Sequence, residues 1–582
     1  MKNPGFFFTF FLSLASFLYS CNPNSSTGSN SISSDTAVIA KGRDSFNRNC
    51  ASCHAFSHDD IGPKLGGITT EVSTDWLLHF IKNPQQVISS GDQRAEILFK
   101  KYKSVMPSFA FLKEEDLISI IAFLNTYKSA GHLPAPEDRD AITNPIPEKI
   151  KLSDLVVDLE PITQFPSSNK GAVPMTRITK LTFQPGTFSL FVNDLRGKLY
   201  KLKKNKPTVY LDMVKLKPKF IDEPGLATGF GSFVFHPDFE TNGLLYTTHT
   251  EAPGSGKADN HFPDSIEVAL QWVLTEWKVA NPAGDTLTGP DRELLRLNMV
   301  TGAHGVQEIT FNPLAKPGSQ DYGLLYIGIG DGASVQVGYP FLTHSKENLL
   351  GSILRIDPLG NNSANGQYGI PPHNPFVHEK DTKTQREIYA YGFRNPHRIT
   401  WTVSGELLAC NIGQANIEAI ALINPGRDYG WPIREGSFVF NPYGNLNNIY
   451  PLPANDSIYK ITYPIAQYDH DEGNAISGGY EYSGTTIPLL KDKFLFGDIP
   501  SGRLFYVNAS DIHSGKPVVI QEWKVTLNGV ATTLKELCQS DRVDLHFGKD
   551  AYGELYIMTK ADGKLYKLQR ATIKNSEMAF LK

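Results

Sequence analysis

The sequence predicts a mixed, two-part chain: a small all-α domain followed by an all-β six-bladed propeller. Three observations predict it. Between Glu114 and Tyr127, the apolar residues Leu117, Ile120, Ile121 and Leu124 recur at i, i+3, i+4 and i+7, which is one face of a helix. The hexapeptide Gly-Lys-Leu-Tyr-Lys-Leu occurs at 197–202 and again at 563–568, each time after a strand-like segment, Ser189 to Asp194 and Leu555 to Lys560. Each copy reads as strand, turn, strand with alternating faces. Related strands begin near Leu244, Leu324, Leu407 and Phe494, so that six lie roughly 50 to 90 residues apart. Small antiparallel sheets repeated around an axis protect their edges by closing into a ring; an irregular β-sandwich is the alternative. The plentiful Gly (49), Pro (38) and Tyr (24) suit short strands and tight turns.

The N-terminus comes first in the chain and is expected to direct export. Lys2 precedes an apolar run from Phe6 to Tyr19, with Ser20-Cys21 after it. That run is short for a membrane span and has the layout of a secretory signal, assigned to residues 1–20. Leu18-Tyr19-Ser20-Cys21 resembles a bacterial lipobox, which would make Cys21 the lipidated residue; an ordinary signal with an incidental Cys is the other reading. Residues 21–40, rich in Ser, Asn and Gly from Asn22 to Thr36, read as a flexible tether. The expected location is the bacterial cell envelope, facing the periplasm or on the cell surface, with the lipid anchor as the only membrane contact. The net charge of -4 supplies no basic field for nucleic acid.

Cys50-Ala51-Ser52-Cys53-His54 is the C-x-x-C-H pattern of covalent haem attachment. Two thiols at this spacing reach the two vinyl groups of one haem c, and His54 then lies beneath the iron as its proximal ligand. A redox dithiol would need a βαβ frame and a zinc site a second Cys pair, and neither is visible. Lys41 to Asn49 reads as a helix entering the motif; Gly62-Pro63 follows, and Met106-Pro107 precedes the amphipathic helix that begins at Glu114. Residues 41–130 resemble a class I cytochrome c. By that resemblance Pro63 orients His54, and Met106 is the distal iron ligand, with His58 and His79 as weaker alternatives. Of the remaining cysteines, Cys410 and Cys538 are expected as buried free thiols, a disulfide being the alternative. Residues 131–164, with Pro134, Pro136, Pro145, Pro147 and Pro161, read as a linker before a propeller spanning 165–572.

Within the β region an ordered series of segments stands out. Phe235-His236-Pro237-Asp238-Phe239 precedes Asn242-Gly243-Leu244-Leu245-Tyr246. Gly328-Ile329-Gly330-Asp331-Gly332 is followed by Tyr391-Gly392-Phe393-Arg394-Asn395-Pro396-His397-Arg398 and by Tyr429-Gly430-Trp431-Pro432. In that order these resemble the soluble glucose/sorbosone dehydrogenase family, propellers that use pyrroloquinoline quinone (PQQ). The resemblance implies His304 as the base on the substrate hydroxyl and Arg394 with Asn395 as cofactor contacts. It also implies the carbonyls of Gly413 and Gln414 as calcium ligands, with Glu418 near the cofactor. Arg503 and Arg542 are the expected partners of the PQQ carboxylates, a task to which the planar guanidinium is suited. Calcium would polarise the quinone through oxygen ligands. The sequence departs from the family at Ala227, where a Gln or Glu usually precedes Phe-His-Pro-Asp-Phe. It departs again at Val306-Gln307, which replace Gly-Gly, and in an apparent insertion from about Glu251 to Glu293.

The two halves together imply a quinohaemoprotein that oxidises an aldose sugar or related alcohol, hands electrons to its own haem, and passes them to a downstream respiratory acceptor. Fusion would hold the haem at high effective concentration beside the quinone. The competing expectation is a non-catalytic propeller that binds a glycan or a protein, carried by an electron-transfer cytochrome.

Overall fold

The computed structural model describes residues 32–50, 54, 56, 62–102, 106, 108–127, 140–169, 174–223, 227–513 and 518–574. Cys21, Cys53, His58 and the other residues of the export signal and tether before Ile32 lie outside the described residues.

The helical part begins with Thr36–Asn49, earlier than the sequence predicts, so residues 36–40 belong to a helix and not to the tether. The Asp35 carboxylate caps it by accepting from Ala37 N at 2.7 Å, which satisfies one of the first-turn donors. The closing helix is Glu114–Leu124; Leu117, Ile120, Ile121 and Leu124 are all buried, as their spacing predicts. These two helices cross tightly. A Cβ on Gly42 would fall 1.8 Å from the Ser119 carbonyl oxygen, so only glycine permits this approach. Phe46, Leu77 and Phe123 complete this core, and Phe56 stacks on Tyr127 with ring centroids 3.6 Å apart. Val337, from the β-rich part, packs against the same helical core.

The β-rich part is built from antiparallel runs of four strands. The first run is Ile178–Phe183, Leu190–Asp194, Lys198–Lys203 and Lys206–Asp212. The second, Phe230–Phe235 to Asp291–Met299, includes Leu270–Lys278. The stretch read as an insertion therefore holds a regular strand, which a loop at 252–269 precedes. Further runs begin at Glu308–Phe311, Pro396–Trp401, Tyr480–Glu481 and Leu545–Lys549. Each hairpin segment singled out in the sequence is the second strand of its run. The first strands touch in succession around a circle, and Ile178–Phe183 meets Leu545–Lys549 in parallel through Leu181 and Gly548. Buried aliphatic and aromatic side chains fill the space between successive runs.

The expected linker is only partly a linker. Lys151–Gln164 is a strand that pairs antiparallel with the last strand, Lys564–Ile573, and parallel with Gln521–Leu527. Leu155 to Leu159 are all buried, giving a continuous run in place of an alternating one. Pro161 does not exclude this, because the ladder shifts register between Pro161 and Thr163 and needs no donor there. Cys410 and Cys538 are unpaired thiols, the first buried and the second half-buried.

Candidate functional site

One cavity of about 770 Å³ is lined both by the helical domain and by one end of the β-rich domain. The positions that reach it from the β side follow a rule of the fold. Arg177, Arg394, Asn395 and Asp544 stand just before first strands. Gly413, Gln414 and Lys560 stand just after second strands, at the same end.

On the helical side, His54 and Met106 both line the cavity among apolar walls that include Leu77, Phe80 and Leu98. His54 Nδ1–H donates to the Pro63 carbonyl at 2.8 Å. This fixes the tautomer and leaves the Nε2 lone pair for a metal. Burial pushes the imidazole pKa down, against the pull of the Pro63 bond, which keeps the ring neutral and ligating. Gly62 is required beside it, since a Cβ there would lie 2.4 Å from His54 Cε1. Cys50 lines the same space. This donor set, with imidazole and thioether facing an apolar slot, fits a haem. His79 sits on the exposed face of the helix Thr74–Lys82, with Nδ1 on the Asp75 carbonyl, and does not line the cavity as Leu77 and Phe80 of the same helix do.

On the β side, His304 Nδ1–H donates to Asp331 Oδ1 at 2.8 Å. Asp331 is fully buried; it also accepts from Ala333 N at 2.8 Å and from Trp431 Nε1 at 2.9 Å. The carboxylate is held by these donors, and it turns Nε2 of His304 toward the cavity as an acceptor of protons. Burial and the nearby Arg394 charge both lower the His304 pKa, while the Asp331 bond works the other way. His304 adopts φ of +49°, a conformation uncommon outside glycine and asparagine. The close approach of Gly330 accommodates it, since a Cβ there would lie 2.2 Å from the His304 carbonyl oxygen. Asp331 and Trp431 were visible in the motifs but had no assigned role.

Arg394 is buried, and its Nε donates to Gln414 Oε1 at 2.9 Å, so the guanidinium is aimed from a fixed stem. Asn395 lines the cavity, and so does Ala227, the position at which the sequence departs from the family. In the turn at Gly413 and Gln414, the N–H groups of Gln414, Ala415, Asn416 and Ile417 all donate to Glu435 Oε1 at 2.8–3.0 Å. Among the described residues no group of three or more His, Cys, Asp or Glu side chains could hold a metal. The calcium expectation therefore rests on backbone carbonyls alone, and these residues do not form a carboxylate cage.

Two expectations are corrected. Arg503 does not line the cavity: its guanidinium donates to Glu522 at 3.0 and 2.8 Å and to Glu472 at 2.6 Å. Glu418 is also turned aside, accepting from Ile476 N at 2.8 Å and pairing with His470 at 3.1 Å. Arg542 does reach the cavity, with Nε on Asp544 Oδ1 at 2.7 Å. Lys560, Arg177 and His546 line it too, although no sequence motif marked them, and so does His397, which lies in the Tyr391 to Arg398 segment but had no assigned role. Their common signal is position, at strand ends on the same side of the ring as Arg394.

Comparison with known proteins agrees with this division. A family model described as Glucose / Sorbosone dehydrogenase matches residues 177–567, and one for cytochrome c matches 39–128. The HIPL2 protein of Arabidopsis thaliana is 28% identical over 336 residues, covering 50% of this chain and 46% of that protein. Quinoprotein glucose dehydrogenase B of Acinetobacter calcoaceticus is 25% identical over 338 residues, covering 53% of this chain and 64% of that one. The chain thus spans about half the length of the first curated relatives it matches. The apo soluble aldose sugar dehydrogenase of Escherichia coli superposes with a TM-score of 0.51 at 16% identity, covering 72% of this chain and 100% of that one, a likeness of fold.

Proposed function

The chain belongs to the glucose/sorbosone dehydrogenase family and carries a cytochrome c domain ahead of that region; on that premise we propose that it oxidises an aldose sugar or related alcohol with PQQ and passes the electrons to its own haem c. When bound, PQQ supplies a quinone that accepts hydride, and haem c an iron that accepts one electron at a time. His304 takes the substrate hydroxyl proton at Nε2, because Asp331 holds its Nδ1–H and Trp431 holds Asp331. Arg394, Asn395 and Arg542 would hold and orient the quinone. Cys50 and Cys53 would hold the haem, and His54 and Met106 would ligate its iron. The cavity walls exclude water from both. The β-rich domain is read as a six-bladed propeller, which the circle of first strands supports. Calcium at the carbonyls of Gly413 and Gln414, lipidation at Cys21 and a respiratory acceptor downstream belong to the same proposal; no step above uses them.

The observation that carries this reading is the pair of His304 with the buried Asp331 in the same cavity as His54. A second reading, a propeller that binds a protein, is favoured by Ala227 and by a 25% identical match to mouse Hedgehog-interacting protein. The test supplies oxidised, haem-loaded protein with PQQ, calcium and a panel of aldoses and alcohols, and follows haem absorbance. Substrate-dependent reduction that disappears in His304→Ala is the expected result. Absence of reduction with every substrate would favour the binding module.

A further inference from the structure

The inner end of the cavity holds a set of nitrogens with nothing to bond. Both ring nitrogens of His546, Nε2 of His397 and Nε of Arg177 are buried and lack a hydrogen-bond partner. His546 is 1% exposed, His397 5% and Arg177 8%, and all three line the cavity. Buried polar atoms are ordinarily satisfied, and a cluster of unsatisfied ones in an open space marks a place for a polar ligand. Lys560 and Arg542 line the same end, and Asp544 is the carboxylate among them. The elements that bring them together are neighbours. Arg177 enters Ile178–Phe183, which lies parallel to Leu545–Lys549; Lys560 ends Leu555–Thr559, which pairs with that strand.

Resting on the dehydrogenase reading above, we infer that Arg177, Lys560 and Arg542, with the imidazoles of His397 and His546, form the anion-binding end of the cavity, and that its ligand is a flat molecule bearing two or more carboxylates. The donors are spread over four strands and their ends, so one carboxylate cannot satisfy them. The cations outnumber Asp544, and that carboxylate already accepts from Arg542 Nε. Arg503, the other cation expected for this task, is committed to Glu472 and Glu522. Lys560 and Arg177 stand in its place. Burial, with the charges of Arg177, Arg398 and Arg542, pulls the Lys560 pKa down to about 7, against the opposing pull of Asp544. Burial likewise lowers Arg177 to about 10, with Arg196 and Arg542 adding and Asp544 and Asp194 opposing. An anion set among these groups favours their charged forms.

The test is calorimetric titration of the full-length, haem-loaded protein with PQQ and with benzene-1,2,4-tricarboxylate, a flat triacid without a quinone. Benzoate and inorganic phosphate serve as the other arms. Both polycarboxylates bind, and benzoate and phosphate bind at least about tenfold more weakly. Lys560→Met and Arg177→Gln each weaken the polycarboxylates about tenfold or more, while Arg503→Gln stays within about twofold. At pH 8 wild-type Lys560 is mostly neutral, so binding takes up protons, read from the heat in buffers of different ionisation enthalpy; Lys560→Met loses that uptake. Affinity indifferent to both variants, phosphate binding as tightly as the triacid, or no binding at all overturns the inference. Should the variants not fold, wild-type affinity for the triacid no higher than for benzoate overturns it as well. Polycarboxylate binding that behaves as stated, in a protein whose haem no sugar reduces, sinks the dehydrogenase reading alone.

Discussion

His304 illustrates how little of a site one residue determines by itself. A histidine donates from one nitrogen and accepts at the other, and Asp331 chooses which. Asp331→Asn keeps the volume but can offer an amide N–H, releasing the ring to the wrong tautomer. Turnover should fall by about 10² to 10⁴-fold with binding of the quinone little changed, measured by haem reduction against PQQ affinity. The lowered His304 pKa has a definite sign for pH dependence. A base that resists protonation keeps its lone pair at pH 6.5, so the acid limb of kcat/KM for this group should fall below that value; a limb centred above pH 7 would contradict the assignment. At this scale His54, Met106 and Arg394 were legible, because each lies in a spaced motif, and His304 through the family resemblance those motifs carry. Arg503 was misread because its partners, Glu472 and Glu522, lie 31 and 19 residues away in sequence and meet it only after folding. Lys560 and His546 were missed because nothing in their local sequence distinguishes them from other strand residues.

Strands and helices were read with uneven success for a common reason, the number of faces each element buries. The helix Glu114–Leu124 and the repeated second strands announce themselves through periodicity. The strand Lys151–Gln164 is hidden, since a buried centre that runs unbroken from Leu155 to Leu159 with Asp158 inside it, followed by Pro161, has no period to detect. Its energetic weight is nevertheless large. Leu159 is 1% exposed and packs in the cluster with Leu568 and Val525. Leu159→Ala should cost about 2–5 kcal/mol in denaturant unfolding of the β-rich domain, whereas a true linker residue would cost almost nothing. The apparent insertion after Glu251 was misjudged in the same way, because Leu270–Lys278 is buried along nearly its whole length.

For the molecule as a whole, the shared cavity predicts that electrons cross within one chain. After sugar is mixed with PQQ-loaded protein, the rate constant for haem reduction should not change over a hundredfold dilution of the protein; a rate proportional to concentration would point to exchange between molecules. The pairing of Lys151–Gln164 with Lys564–Ile573 has another consequence, for the order in which the protein is made. Synthesis runs from the N-terminus, and the helical domain depends on contacts close in sequence, so it can take up its haem while the rest is unfinished. The strand at Lys151 must wait for Gln521–Leu527 and then, on its other edge, for Lys564–Ile573 at the far end of the chain. Until that partner emerges, two sheet edges stand open to any stray strand, which makes translation of the final segment the step that ends the risk of aggregation.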